Sequence, residues 1–118
     1  MADSILRDKS KLFAKDIVFL CRHMKENRVE SALINQLLRC GTSVGANVHE
    51  AQYAQGTKDF ISKFEIALKE ASETGYWLKL LYRTKYIDEQ AFKTLSSKCT
   101  SLRVMLIASC KTAKENIK

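Results

Sequence analysis

At 118 residues, with 46% hydrophobic and 28% charged side chains, the chain has room for one domain with a single sizeable core. No proline and only four glycines exclude a turn-rich sandwich or barrel and point to an all-helical protein. The formal charge of +7 is uneven: residues 1–28 hold seven Lys/Arg against four Asp/Glu, residues 29–82 five against six, and residues 83–118 eight against three, so both ends are basic and the middle is near neutral.

A first helix is predicted over residues 4–26, with Ser4 as N-cap and Ile5, Leu12, Phe13, Ile17, Leu20 and Met24 at three- and four-residue spacing. Its other side carries Arg7, Lys11, Lys15, Arg22 and Lys25, interspersed with Asp8 and Asp16. A second helix, residues 31–54, is capped by Ser31 and holds only two full charges between Ser31 and Thr57, namely Arg39 and Glu50. At about 100° per residue, Leu37, Gly41, Val44, Gly45 and Val48 share one face. Arg39, Ser43, Asn47 and Glu50 fall within about 80° of one another on the opposite face, among Ala32, Ala46 and Ala54 with Cys40 at the edge. Such a helix is expected to pack on both sides, by its own bundle and by another subunit. Gly41 and Gly45 each cost about 1 kcal/mol relative to alanine inside a helix, so their place on the apolar face predicts close approach of a neighbouring helix. Gly56 is expected to end this helix as a left-handed residue.

A third helix, residues 57–84, starts at Thr57 as cap with Asp59 in its first turn. Phe60, Phe64, Ala67, Leu68, Ala71, Leu78 and Tyr82 make its core face, and Ile66, Glu70, Glu73, Trp77 and Leu81 a second stripe. Glu65, Lys69, Tyr76, Lys79 and Arg83 are left for water. A fourth helix, residues 88–116, is capped by Asp88, buries Phe92, Leu95, Cys99, Leu102, Met105, Leu106 and Ser109, and is expected to fray near Ala113 in a basic tail. Connections of two to five residues force neighbours antiparallel, giving an up-down-up-down four-helix bundle in a single domain spanning residues 1–118.

The apolar run Ile17 to Cys21 is too short to span a membrane, and no secretory signal pattern follows Met1, so the expected compartment is the cytoplasm. Cys21, Cys40, Cys99 and Cys110 are widely spaced without a C-x-x-C pair, which predicts small core residues rather than a disulfide frame or zinc site. A di-metal bundle site needs Glu-x-x-His pairs, and none occurs; the histidines are His23 and His49. Ser43, His49 and Glu50 share a helix, but His49 points more than a right angle away from Ser43, and no phosphate-binding glycine loop is present. The expectation is therefore no enzyme, no cofactor, no metal and no small-molecule substrate. Arg39 is expected to face Glu70 or Glu73, within the chain or across a subunit boundary, with Asn47 and Ser43 serving helix-end or cross-helix donors.

These residues carry a resemblance. The run Arg39-Cys-Gly-Thr-Ser43-Val-Gly-Ala-Asn47-Val-His-Glu50-Ala, then Lys58-Asp-Phe60 and Ala67-Leu-Lys-Glu70-Ala-x-Glu73-Thr-x-Tyr76-Trp77-Leu78, closely resembles the 23S rRNA intervening-sequence proteins. It departs at His49, where an acidic residue is common, and at Gly75, where a larger one is usual. The resemblance implies a bacterial cytoplasmic four-helix bundle assembled as a ring-shaped homopentamer. It also implies an architecture similar to the accessory protein of diversity-generating retroelements, a basic pentamer that binds nucleic acid. The matching positions Arg39, Ser43, Asn47, Glu50, Glu70, Glu73, Tyr76 and Trp77 are then expected to hold a ring together rather than perform a reaction.

The leading expectation is a non-enzymatic homo-oligomer that meets RNA or DNA through Arg7, Lys11, Lys15, Arg22, Lys25, Arg103, Lys111, Lys114 and Lys118, without a membrane partner. No aromatic-rich stacking platform is apparent, so structured RNA or duplex would be met by shape and phosphate, without sequence specificity. The competing expectation is a protein-interaction scaffold whose charge serves solubility, which predicts a partner retained in high salt and no bound nucleic acid.

Overall fold

Apolar residues recurring at three- and four-residue spacing become four helices in the computed structural model, which describes residues 2–117: α1 (Ala2–Glu26), α2 (Ser31–Ala51), α3 (Thr57–Arg83) and α4 (Glu89–Asn116). Each packs on the next in chain order, and α1 closes the bundle against α4. Partner numbers run in opposite directions along every contact. Ile17 meets Gly41 and Ser10 meets Gly45 between α1 and α2, Arg39 meets Glu70 and Glu50 meets Lys63 between α2 and α3, Ala71 meets Cys99 and Glu65 meets Lys114 between α3 and α4, and Asp3 meets Ser109 and Asp16 meets Lys98 between α1 and α4. The bundle is therefore antiparallel, a rod 50 × 21 × 19 Å.

The core is filled by Leu6, Phe13, Ile17 and Met24 from α1, Leu37, Val44 and Val48 from α2, Phe64, Leu78 and Leu81 from α3, and Leu102 and Leu106 from α4. Gly41 and Gly45 let α1 and α2 approach as expected. A Cβ at Gly41 would lie 2.8 Å from Ile17 Cγ2, and one at Gly45 would lie 3.1 Å from the Ser10 carbonyl oxygen. All four cysteines are buried and free.

Several local expectations are corrected. On α1 the core side is Leu6 and Ser10, while Ile5 and Leu12 stay exposed, Leu12 at 60%. The tight crossing at Gly45 selects the small Ser10, whose Oγ donates to Arg7 O at 3.0 Å, and that choice rotates Ile5 and Leu12 outward. Ser4 lies inside α1, and Ser31 and Thr57 are the first helical residues after Glu30 and Gly56, neither of which makes a side-chain cap bond. Asp88 does cap α4, accepting from Ala91 N–H at 2.8 Å. α2 ends at Ala51, and Gly56 is extended (φ 179°) rather than left-handed; Asp59 Oδ2 accepts from Gln55 N–H at 3.2 Å and ties the link to α3 instead. Leu81 and Cys40 are core residues, not members of a second face.

The left-handed residues are Arg28 (φ 60°) and Lys85 (φ 68°). Each sits two residues past the end of its helix. The next amide reaches back five residues, Val29 N–H to Met24 O at 3.0 Å and Tyr86 N–H to Leu81 O at 2.9 Å, which closes the helix terminus in the manner usually built on glycine.

Candidate functional site

The sequence-predicted polar residues of α2 and α3 meet across one groove of the bundle. Arg39 reaches from α2 to two carboxylates on α3: Nη1 is 3.2 Å from Glu70 Oε2, and Nη2 contacts Glu73 Oε2. Nη2 also donates to Gln36 Oε1 at 3.0 Å, and Trp77 Nε1–H donates to the same Glu73 oxygen at 3.0 Å. Spacing explains the set: Gln36 and Arg39 lie one turn apart on α2, and Glu70, Glu73 and Trp77 succeed one another by three and four residues on α3. The pairing expected for Arg39 is thus made with both glutamates, inside one chain.

The Arg39 side chain is 51% exposed and Glu70 only 17%, so the guanidinium lies over the groove while the carboxylates are partly withdrawn. The indole hydrogen bond from Trp77 and the Arg39 charge hold the Glu73 carboxyl below its ordinary range. A carboxylate so committed is a poor proton carrier near neutrality. Below the network, Thr74 is buried and donates to Glu70 O at 2.7 Å. Tyr76 is exposed and meets the half-buried Trp77 edge to face at 5.0 Å.

Further along the groove, Glu50 pairs with Lys63 at 3.1 Å. Asn47 and Ser43 do not serve cross-helix or helix-end donors as expected. Asn47 Nδ2 donates to Ser43 O at 2.9 Å and to Ser43 Oγ at 3.2 Å within α2, because one helical turn brings the two together. His49 stacks obliquely on Tyr53 with ring centroids 5.5 Å apart. Burial pushes the Cys21 and Cys99 thiols up to about 11, and raises Cys40 and Cys110 as well, so none is an activated nucleophile. Among the described residues there is no group of three or more His, Cys, Asp or Glu placed to hold a metal ion, and no helix long and apolar enough to cross a membrane.

The basic residues divide sharply between helices. On α1, Lys11, Lys15, Arg22 and Lys25 are exposed and Arg7 partly so, and none of them enters an ion pair among the described residues. On α4 the opposite is common: Lys93 pairs with Glu89 at 2.9 Å, Lys98 with Asp16 at 2.7 Å and Lys114 with Glu65 at 3.0 Å. Arg103 and Lys111 are exposed, and Lys118 lies outside the described residues. Residue-type reasoning on α1 passed over Phe19, which is 49% exposed with Lys15 Nζ at 5.7 Å and Arg22 Cζ at 5.5 Å from its ring centroid. The signal was in the spacing, four residues after one cation and three before another. Gln36, Lys63 and Thr74 were likewise missed as members of the α2–α3 network.

Comparison with known proteins adds a family and a structural relative. The model of the family described as 23S rRNA-intervening sequence protein matches residues 2–108. A crystal structure of a protein with unknown function from the S23 ribosomal protein family of Bacteroides thetaiotaomicron is 44% identical. It covers 94% of this chain and 99% of that one, with a TM-score of 0.91. No match was found among curated proteins.

Proposed function

The chain belongs to the 23S rRNA-intervening sequence protein family, and on that premise we propose that it is a non-enzymatic, cytoplasmic, homo-oligomeric protein of bacterial type that binds nucleic acid without sequence specificity. The observation that carries this reading is the row of cations on α1, exposed Lys11, Lys15, Arg22 and Lys25 with partly exposed Arg7, none of them in an ion pair among the described residues, in a chain of net charge +7. Phosphates are the polyanion that such a row neutralises with release of counterions. Arg103 and Lys111 are further exposed cations on α4, Lys111 beside Glu65 and Leu68 of α3, whereas Lys114 is already engaged by Glu65.

Assembly is the second part of the proposal. The α2–α3 face combines a half-buried Trp77, exposed Tyr76 and Ile66, and polar groups that already satisfy one another within the chain. Such a face can dock on a neighbouring subunit without leaving its charges unpaired, through Arg39, Ser43, Asn47, Glu50, Glu70, Glu73, Tyr76 and Trp77. A five-membered ring would carry about +35, and weak phosphate contacts would add through avidity.

Fluorescence anisotropy against salt tests the first part. Five phosphate contacts per protomer give a log–log slope of about −3.5 to −4.5, an affinity loss of about 10²–10³-fold between about 50 and 200 mM salt. Absent or salt-independent binding overturns the reading. Light scattering tests the second: five subunits of 13.4 kDa make a particle of about 67 kDa. Arg39→Glu or Trp77→Ala should break it, and a full-size particle in both variants would refute this interface.

A further inference from the structure

We propose that α1 takes single-stranded nucleic acid, seating an unpaired base against Phe19 with the adjoining phosphates on Lys15 and Arg22; this deepens, and rests on, the nucleic-acid reading above. Phe19 is the exposed phenylalanine of the described residues, on a polar helix face where packing gives it no purpose. Lys15 lies one turn before it and Arg22 one turn after, both within 6 Å of the ring centroid and neither paired with a carboxylate among the described residues. Only a weak cation–π attraction holds them there, so phosphates can recruit both. Along the axis Lys15 and Arg22 are about 10 Å apart, so a strand following α1 meets a cation, an aromatic ring and a second cation in succession.

Beside Phe19 a depression of about 400 Å³ opens between α1 and the start of α4. Leu20, Ala91 and Leu95 form its apolar side, and Gln90, Thr94 and the Asp16–Lys98 pair its polar rim. An aromatic wall with amide and hydroxyl groups at its edge suits a planar heterocycle, in a volume adequate for a small ring system. The base must be unpaired, because within a duplex its faces are covered by its neighbours. A lipid surface is the other occupant of a basic helix with exposed apolar residues. A bilayer would meet this whole side of α1 at once, exposed Asp8 and Glu26 included, whereas a single strand can follow Lys15, Phe19 and Arg22 alone.

The test is anisotropy with labelled uridine and deoxythymidine oligomers of about 15 nucleotides and a duplex of similar length, at about 50 mM salt. Phe19→Ala should weaken both single strands about 5- to 100-fold and the duplex less than about 2-fold, while Phe19→Trp, which keeps a stacking face, should bind like the parent. Lys15→Glu with Arg22→Glu should weaken all three. Equal single-strand affinity in Phe19→Ala, with steep salt dependence intact, overturns this inference and leaves the broader function standing. No binding of any oligomer by the parent overturns both. Sedimentation with phosphatidylserine vesicles that Phe19→Ala abolishes, with oligonucleotide binding unchanged, overturns the proposal in favour of a membrane surface.

Discussion

Replacing Gly41 by alanine sets two known terms against each other at a place where the geometry decides the sign. Alanine improves helix propensity by about 1 kcal/mol over glycine. The added methyl would lie 2.8 Å from Ile17 Cγ2, 2.9 Å from Cγ1 and 3.3 Å from Cβ. Ile17 is fully buried and β-branched, held near one χ1 rotamer on α1, so it cannot swing clear as a long flexible side chain would. Relief requires α1 and α2 to move apart, and overpacking of this kind costs about 1–3 kcal/mol. The net expectation for Gly41→Ala is a loss of about 1 kcal/mol, up to about 2. Ile17→Ala alone should cost about 3–4 kcal/mol through lost burial and the cavity left behind. In the double variant the new methyl enters the space that the isoleucine vacates. The two losses should therefore fall short of additivity by about 1–2 kcal/mol. Urea denaturation followed by circular dichroism, at one protein concentration and with unchanged m, measures all four corners of the cycle. Gly41→Ala more stable than the parent, or strictly additive losses, would refute close packing of α1 on α2 at this point.

Arg28→Gly and Lys85→Gly should each stabilise the chain by about 0.5–1 kcal/mol, raising Tm by about 2–4 °C, because both residues hold left-handed conformations that glycine adopts freely; an unchanged or lower Tm would contradict those backbone angles. Glu73 should titrate below the ordinary 4.5 by carboxyl NMR, and Trp77→Phe should move it upward. With the folded value depressed, the stability that Glu73 contributes is complete above about 4.5 and is lost as pH falls through the folded value, so Trp77→Phe should flatten that acid limb. Native protein at about pH 8 should yield none of its four thiols to Ellman's reagent within minutes, and all four in urea, since burial keeps Cys21 and Cys99 protonated up to about 11.

The periodicity of Leu37, Val44 and Val48 and of Phe64, Ala71 and Leu78 was legible because each helix there has one continuous buried face. The glycine pair was legible for the same reason. On α1 the periodicity was ambiguous: Ile5 and Leu12 fit a three- and four-residue rule as well as Leu6 and Phe13 do. Only the partner helix decides between them, through a crossing at Gly45 that admits the Ser10 backbone at 3.1 Å. Turn chemistry misled in the other direction. Gly56 looked like a helix stop, but the left-handed positions went to Arg28 and Lys85, where no residue preference announces them. The Arg39 pairing was legible from opposite charges on two weakly charged faces, whereas for Phe19 the spacing between two cations was a hint that only exposure turns into a site. A lone phenylalanine reads as core until the packing shows it left outside between two cations.

An ion pair closed within a protomer and a cation left open behave differently toward an approaching surface. Around Arg39 the positive charge is divided between Glu70 and Glu73, and Glu73 is further bound by Trp77, so this cation is already matched by carboxylates. Contact made there draws on apolar area and shape, neither of which salt weakens. Along α1 the cations make no ion pair among the described residues, and a polyanion that binds them displaces condensed counterions. The two surfaces should therefore separate under one variable. Raising salt from about 50 to 500 mM should strip nucleic acid from the protein while leaving particle mass in light scattering unchanged. Particles that fall apart over the same range would mean that the open cations, and not the Arg39 groove, hold the subunits together.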